Sequence, residues 1–346
     1  MSQSTRQWLL QHKPASLPVL DGPDATFRLT STDLPAPKDD QVLLKVLYLS
    51  NDPAMRAWIN PTADRERMYI PPVEEGDVMR CFALAEVMES RSESLSRGSF
   101  VTGTFGWTEY AVRDAKDCNL VQEIEGVSVT HFLGVFGFTG LTAYFGLTEV
   151  VKAGPEDAVV VSGAAGATGS MVVQIAKKML GCKKVIGIAG SDEKCKWVES
   201  LGADACLNYK AKSFEDDLKA ATSGFVEVYF DNVGGEILDL MLTRMKRHGR
   251  VAACGAISQY NSESRGLKNY GQIITNRLEL KGFIVLDYLK DAQAATHEII
   301  KALKEGKIQV SEKNETVVDT SFEKIPETWM KLFSGENVGK LVTKLI

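Results

Sequence analysis

A glycine-rich turn between an apolar run and a helix-like segment constrains the fold of this chain more than any other feature. The apolar run covers residues 157–161 and leads directly into the segment Ser162-Gly163-Ala164-Ala165-Gly166-Ala167-Thr168-Gly169-Ser170. An amphipathic pattern typical of a helix follows over Gly169 to Leu180. Ala164 stands in the first position of the G-x-G-x-x-G pattern, Gly166 in the second and Gly169 in the third. This order of strand, turn and helix predicts a βα unit of a parallel sheet.

The same turn carries the first functional signal. A small residue in the second position lets the backbone approach a pyrophosphate, which the N–H groups and the dipole of the following helix attract. We therefore expect Gly166, Ala167, Thr168 and Gly169 to hold the pyrophosphate of a dinucleotide. A purely structural glycine turn is the alternative, and the flanking strand and helix favour the nucleotide site.

Beyond this turn, strand-length apolar runs alternate with helix-length amphipathic runs. Strands are predicted over residues 185–189, 226–230, 250–254 and 282–286. Helices are predicted over residues 192–201, 236–246 and 292–305. Such alternation predicts an α/β fold with a doubly wound parallel sheet.

The first third of the chain has a different texture. Short apolar runs at residues 42–49, 82–88 and 100–104 lie between segments rich in Gly and Pro, which predicts a partly barrel-shaped β domain. With 346 residues, the chain exceeds the size at which one hydrophobic core stops growing. We expect the β domain over residues 1–128, the nucleotide-binding domain over 129–299 and a return to the first domain over 300–346.

The end of the second predicted strand decides between NAD and NADP. An NAD enzyme needs an acidic side chain there for the ribose hydroxyls, but this strand ends in Gly190 and Ser191. Asp192 and Glu193 follow in the first helical turn, where they also serve as capping residues. Lys194 is placed to reach a 2′-phosphate, although a solvated helix lysine is the plainer interpretation. We expect NADP(H).

Composition and charge restrict the partners. The net charge is −5 without a basic block, so nucleic acid is not expected. No run approaches the roughly 20 apolar residues of a membrane span, and the first residues lack the pattern of a secretory signal, so we expect a cytoplasmic protein without membrane contact. The six cysteines form no C-x-x-C pair and only four histidines are present, so no metal site is expected.

Several segments, taken in order, resemble the zinc-independent medium-chain dehydrogenase/reductase superfamily, in the branch of leukotriene 12-hydroxydehydrogenase, prostaglandin reductase and plant 2-alkenal reductase. The resemblance covers nearly the whole chain. It rests on residues 50–56 (SNDPAMR), 107–110 (WTEY), 140–147 (GLTAYFGL), 229–235 (YFDNVGG), 254–261 (CGAISQYN) and 335–340 (GENVGK). Two segments depart from the pattern: residues 79–83 (MRCFA) stand where relatives carry glycines, and Phe138-Thr139 replaces a Met-Pro pair.

The resemblance implies a GroES-like catalytic domain, a Rossmann domain and a homodimer. It also implies positions for the cofactor and the substrate. The pyrophosphate would lie at Gly166 to Gly169, and the 2′-phosphate would lie at Lys194 and Tyr209. The sugar and the nicotinamide would contact Asn232, Cys254, Gly255, Ala256, Ile257, Ser258 and Tyr260. The rest of the nicotinamide pocket would be formed by Phe283, Ile284, Val285 and Asn337. Tyr260 matches a tyrosine near the substrate carbonyl or the ribose, and Tyr69 matches a tyrosine on the substrate side.

The implied reaction is NADPH-dependent reduction of the carbon–carbon double bond of an α,β-unsaturated aldehyde or ketone. Hydride delivered to the β-carbon places negative charge on the carbonyl oxygen, and a tyrosine, protonated at neutral pH, can donate a hydrogen bond to it without a metal. A quinone reductase with the same fold and cofactor is the nearest alternative. A non-catalytic NADPH-binding module is the alternative from another class.

Overall fold

The structure is a computed structural model that describes residues 3–262 and 266–346. The chain divides into two compact units. The first unit contains residues 1–133 and 315–346, and the second contains residues 134–314. Within the described ranges, no helix combines the length and apolar character needed to cross a membrane.

The strands and helices are numbered here in chain order. The strands are β1 Gln3–Leu10, β2 Phe27–Leu34, β3 Gln41–Ser50, β4 Phe82–Ser90, β5 Phe100–Thr104, β6 Tyr110–Asp114, β7 Asn119–Leu120, β8 Ala158–Ser162, β9 Lys184–Ala189, β10 Ala205–Asn208, β11 Val226–Asp231, β12 Met245–Ala253, β13 Glu279–Gly282, β14 Glu315–Thr320 and β15 Lys340–Leu345. The helices are α1 Met55–Trp58, α2 Phe138–Phe145, α3 Ala167–Gln174, α4 Asp192–Ser200, α5 Phe214–Ala221, α6 Gly235–Leu242, α7 Gly271–Asn276, α8 Ala292–Lys304 and α9 Ile325–Ser334.

The second unit is built on a parallel sheet with the strand order β10-β9-β8-β11-β12-β13. This is the order of a doubly wound dinucleotide-binding sheet, so the predicted fold class is confirmed. The central strand β8 is buried along its whole length, as expected where helices cover both faces. The order of the strands reverses between β8 and β11, and ligands bind at such a switch point, outside the carboxyl ends of the strands.

The bounds of two predicted elements of this unit are wrong. The strand predicted over residues 282–286 is β13, Glu279–Gly282, and every residue of β13 is exposed because it lies at the edge of the sheet. The apolar residues after it instead pack on helices: Val285 contacts the cluster of Leu141 and Phe145. The helix predicted over 236–246 ends at Leu242, and residues from Met245 onward join β12.

The first unit contains a sheet with the order β14-β15-β3-β4-β5-β7, and β6 pairs with the other end of β3. The strand β15, Lys340–Leu345, is antiparallel to β3, so segments that lie far apart in the sequence contribute to one sheet. A cluster of aromatic rings lies in the core, where the ring centroid of Trp107 is 4.9 Å from that of Phe27 and 5.8 Å from that of Trp329. Both tryptophans are fully buried.

Candidate functional site

The turn after β8 has the geometry that a bound pyrophosphate requires. Gly163 adopts a φ of +60°, which side chains rarely tolerate, and this residue reverses the chain at the strand end. A Cβ atom on Gly169 would lie 2.2 Å from the carbonyl oxygen of Gly163. The third glycine is therefore needed for close packing of α3 against the strand.

Gly166 has a different role from Gly169. It caps α3, and a Cβ atom there would meet one atom within 4 Å, the Gly163 oxygen at 3.2 Å. The space over this residue is open, and the first N–H groups of the helix, from Ala167 to Gly169, point out of such a helix end. This turn fits a pyrophosphate, because backbone donors and the helix dipole meet an anion where no side chain intrudes.

The tip of β9 brings together the residues predicted to bind the 2′-phosphate. Gly190 allows the ring of Tyr209 to approach, since a Cβ atom there would lie 3.1 Å from the ring. Ser191 caps α4, and its hydroxyl oxygen accepts a hydrogen bond from the N–H of Lys194 at 3.2 Å. Asp192 accepts a hydrogen bond from Asn208 at 2.8 Å, which ties the start of α4 to the end of β10.

Lys210 is a second cation at this tip that sequence reasoning missed. Burial lowers the pKa of Lys194, and the positive charge of Lys210 lowers it further. The Lys210 Nζ lies 5.9 Å from the centre of the Tyr209 ring. A phosphate dianion would relieve the repulsion between the two ammonium groups, so the tip fits the 2′-phosphate of NADP. Lys210 could have been found from its position just after β10, because β10 lies directly beside β9.

The ends of β8 and β11 are joined by a buried hydrogen-bond network. The carboxylate of Asp231 accepts hydrogen bonds from the hydroxyl of Ser162 at 3.1 Å and from that of Tyr229 at 2.8 Å. Asn232 donates its backbone N–H to the Ser162 hydroxyl at 3.0 Å and its side-chain amide to the Ser162 carbonyl at 2.8 Å. The network fixes Asn232 at the switch point of the sheet.

The loop after β12 packs against this network. Asp231 accepts from the N–H groups of Cys254 at 2.9 Å and Gly255 at 3.1 Å through its carbonyl oxygen. Ser258 donates its hydroxyl to the carbonyl of Val233 at 2.6 Å. The two loops that carry the predicted nicotinamide-side residues are thereby held together.

Burial, with a smaller contribution from the Asp231 carboxylate, raises the pKa of the Cys254 thiol to about 12, so this thiol stays protonated at neutral pH.

Tyr260 closes the same loop. Its hydroxyl oxygen accepts a hydrogen bond from the N–H of Ala256 at 3.3 Å, which folds the ring back over the first residues of the loop. Ile257 belongs to the short 3₁₀ turn that ends just before this tyrosine. The structure therefore gathers Asn232 and the segment from Cys254 to Tyr260 at the carboxyl ends of β11 and β12.

The segment from Phe283 to Val285 follows β13 in the same unit. The ring of Phe283 makes an edge contact with the buried ring of Phe230, at 6.1 Å between centroids. Ile284 is extended and precedes a 3₁₀ turn that begins at Val285. Phe283 is thus placed by packing on β11, whereas Val285 belongs to the cluster between α2 and α8.

Tyr69 and Asn337 lie in the first unit. Asn337 donates its amide to the carbonyl of Gly339 at 2.9 Å in the turn before β15. The hydroxyl of Tyr69 accepts a hydrogen bond from the indole N–H of Trp58 at 2.7 Å. Sequence reasoning missed Trp58 as a partner of Tyr69, since the residue lies in a loop-rich segment without a recognisable motif.

Possible metal ligands are dispersed. Over residues 3–262 and 266–346, no group of three or more His, Cys, Asp or Glu side chains is placed to hold a metal ion. The six cysteines are all free thiols.

Two protein families match parts of this sequence. Residues 6–121 match the N-terminal domain of oxidoreductase family, and residues 167–305 match the family described as zinc-binding dehydrogenase. The first match lies in the β-rich unit and the second covers most of the parallel sheet.

Individual relatives match over nearly the whole length. Prostaglandin reductase 1 of Bos taurus is 38% identical over 345 residues, which cover 98% of each chain. The NADP⁺-dependent 2-alkenal reductase of Nicotiana tabacum is 37% identical over 309 residues, covering 88% of this chain and 87% of the relative. Among solved structures, CurA from Vibrio vulnificus in complex with NADPH has a TM-score of 0.87 at 32% identity and covers 99% of both chains.

Proposed function

The chain belongs to the medium-chain dehydrogenase/reductase family, together with prostaglandin reductase and 2-alkenal reductase, and on that premise we propose that it reduces the carbon–carbon double bond of α,β-unsaturated aldehydes or ketones. It is an oxidoreductase of this family, and its cofactor is NADP(H). The observation that carries the proposed reaction is the near full-length similarity to a prostaglandin reductase and a 2-alkenal reductase.

Residues of the second unit are proposed to hold the cofactor. The open turn at Gly166 and the start of α3 would bind the pyrophosphate. Lys194, Tyr209 and Lys210 would bind the 2′-phosphate, which explains why the strand tip carries cations and an aromatic hydroxyl rather than a carboxylate. Asn232 and the loop from Cys254 to Tyr260 would face the nicotinamide and its ribose. When bound, NADPH supplies the hydride.

The protein's own residues would stabilise the charge that develops on the substrate. As the β-carbon gains hydride, negative charge moves to the carbonyl oxygen, and the enolate then takes a proton from water. Tyr260 and Tyr69 are each proposed as a hydrogen-bond donor that stabilises this charge. Preorganised donors of this kind stabilise the transition state because they need no rearrangement when the charge appears.

A panel of enals, enones and quinones tests the proposal. We expect the purified protein to oxidise NADPH with at least one enal or enone. With NADPH that carries deuterium at the transferred position, mass spectrometry should find the label on the β-carbon of a saturated product. Label on the carbonyl carbon of an allylic alcohol would contradict the proposal.

The same panel separates the alternatives. Turnover with quinones and with no enal or enone would establish a quinone reductase. Tight NADPH binding without oxidation by any member of the panel would identify a non-catalytic module.

A further inference from the structure

Trp58 is the last residue of the short helix α1 in the first unit. Its indole Nε1 lies 2.7 Å from the hydroxyl oxygen of Tyr69. An indole N–H is a donor only, so the tyrosine oxygen must be the acceptor. The accepted bond occupies one lone pair of that oxygen, and the tyrosine's own proton must therefore point away from Trp58.

Trp58 is itself held in place from two directions. Its carbonyl accepts a hydrogen bond from the N–H of Val73 at 2.9 Å, which ties α1 to the segment that follows Tyr69. The guanidinium of Arg80 lies 5.7 Å from the centre of the indole ring, and Arg80 donates to the carbonyl of Pro71 at 2.7 Å. A cation over the ring face and a fixed backbone leave the indole edge directed at Tyr69.

On these contacts we propose that Trp58 is a positioning residue for Tyr69: its N–H orients the tyrosine hydroxyl so that the phenolic proton is presented to the carbonyl oxygen of the substrate. The inference rests on the proposed enone reduction, in which Tyr69 is a donor to that oxygen. The Tyr69 side chain is accessible enough for this role, since 43% of its surface is exposed. A hydroxyl that accepts a strong hydrogen bond also donates a stronger one, because hydrogen bonds in a chain polarise each other.

The charges around Tyr69 allow the bond to be detected separately from catalysis. Burial raises the pKa of Tyr69, the hydrogen bond from Trp58 lowers it, the Asp52 carboxylate raises it and the Arg80 guanidinium lowers it. Replacing Trp58 with Phe removes a contribution that lowers the pKa and leaves the other three. The pKa of Tyr69 should therefore rise further in Trp58→Phe, and the phenolate should form at higher pH.

The experiment is a double-mutant cycle with Trp58→Phe, Tyr69→Phe and the double variant. Trp58→Phe should lower kcat for an enone roughly 3- to 10-fold, the range of one neutral hydrogen bond, and leave the KM for NADPH unchanged. In the Tyr69→Phe background the same change should alter kcat by less than roughly 2-fold, because little coupling remains once the acceptor is gone. Trp8→Phe is the matched control, since it removes an indole N–H bond, to the carbonyl of Phe322, elsewhere in the same unit.

A second readout tests the positioning role of Trp58 separately from the proposed function. Ultraviolet titrations of the four proteins isolate the ionisation of Tyr69 as difference spectra. Subtracting Tyr69→Phe from the wild type gives it with Trp58 present, and subtracting the double variant from Trp58→Phe gives it with Trp58 absent. An unshifted ionisation, or an equal loss of kcat in both backgrounds, would overturn the positioning role. A shifted ionisation in a protein that reduces no enal or enone would instead show that the hydrogen bond exists and that the proposed function is wrong.

Discussion

Ser162 at the end of β8 donates its hydroxyl to the carboxylate of Asp231 at the end of β11, over 3.1 Å. Both residues are buried, and the same hydroxyl accepts the N–H of Asn232 at 3.0 Å. A single buried side chain therefore joins the two strands that flank the switch point and fixes the loop that follows the second strand.

Ser162→Ala tests this link. The change removes a donor to the buried Asp231 carboxylate and the acceptor of the half-buried Asn232 N–H, which costs about 1–3 kcal/mol. We expect a lower midpoint of thermal unfolding and weaker NADPH binding, measured by calorimetry and fluorescence titration. Ser200→Ala is the control, because that exposed hydroxyl bonds within its own helix and should change neither quantity. Unaltered stability and binding in Ser162→Ala would mean that the network is dispensable.

Gly169→Ala tests the packing of α3 on β8. The added Cβ atom would lie 2.2 Å from the Gly163 carbonyl oxygen, a backbone atom that cannot move without opening the turn. The expected loss is at the upper end of the roughly 1–3 kcal/mol that overpacking costs, with lost NADPH binding. Gly154→Ala, whose Cβ atom would meet nothing within 4 Å, should keep both stability and binding. Equal behaviour of the two variants would refute the packing role.

Tyr260→Phe tests the proposed donor in the loop after β12. We expect kcat for an enone to fall about 10- to 100-fold, somewhat less than the roughly 100- to 1000-fold loss known for oxyanion-hole donors, since a ribose hydroxyl of the cofactor would share the role. Steady-state kinetics measure the change, and Tyr270→Phe, at a side chain that is 59% exposed, is the control. A wild-type kcat in Tyr260→Phe would remove this residue from the mechanism.

Lys194→Ala tests the recognition of the 2′-phosphate. A hydrogen bond to a charged group is worth roughly 1.5–3 kcal/mol, so NADPH should bind about 10- to 150-fold more weakly. NADH, which has no such phosphate, should bind as it does to the wild type. Lys196→Ala removes an exposed lysine of the same helix and should affect neither cofactor. If both cofactors weakened equally in Lys194→Ala, the residue would act through the helix and not through the phosphate.

Cofactor preference should also depend on pH in a defined direction. Burial and the charge of Lys210 lower the pKa of Lys194, so the charge of Lys194 is lost, as the pH rises, at a lower pH than in an ordinary lysine. The phosphate keeps its charge above its second pKa of about 6. The ratio of the Kd for NADH to that for NADPH should thus fall on the alkaline side, and the fall should move to higher pH in Lys210→Ala. A fall at the same pH in both proteins would show that Lys210 does not act on Lys194.

The sequence by itself determined the features that depend on neighbouring residues. The apolar run, the glycine turn and the helix from Ala158 to Gln174 are specified locally, because a strand end, a left-handed turn residue and a helix start follow one another in the chain. The alternation of strands and helices indicated the parallel sheet, and the absence of an acidic residue at Gly190 and Ser191 indicated NADP. The assignment of Tyr69 and Tyr260 to catalysis stays a prediction, to be decided by the variants above.

The tertiary structure alone decided which distant residues meet. Ser162 contacts Asp231 across 69 positions of sequence because β8 and β11 are neighbours in the sheet. The charge of Lys210 lowers the pKa of Lys194 because β10, which Lys210 follows, pairs with β9. The edge strand β13 was misplaced for the same reason: exposure of its residues depends on having no neighbour on one side, and the apolar residues after it find their partners on α2 and α8. Pairing and burial of this kind are properties of the assembled sheet, so no local pattern of residues encodes them.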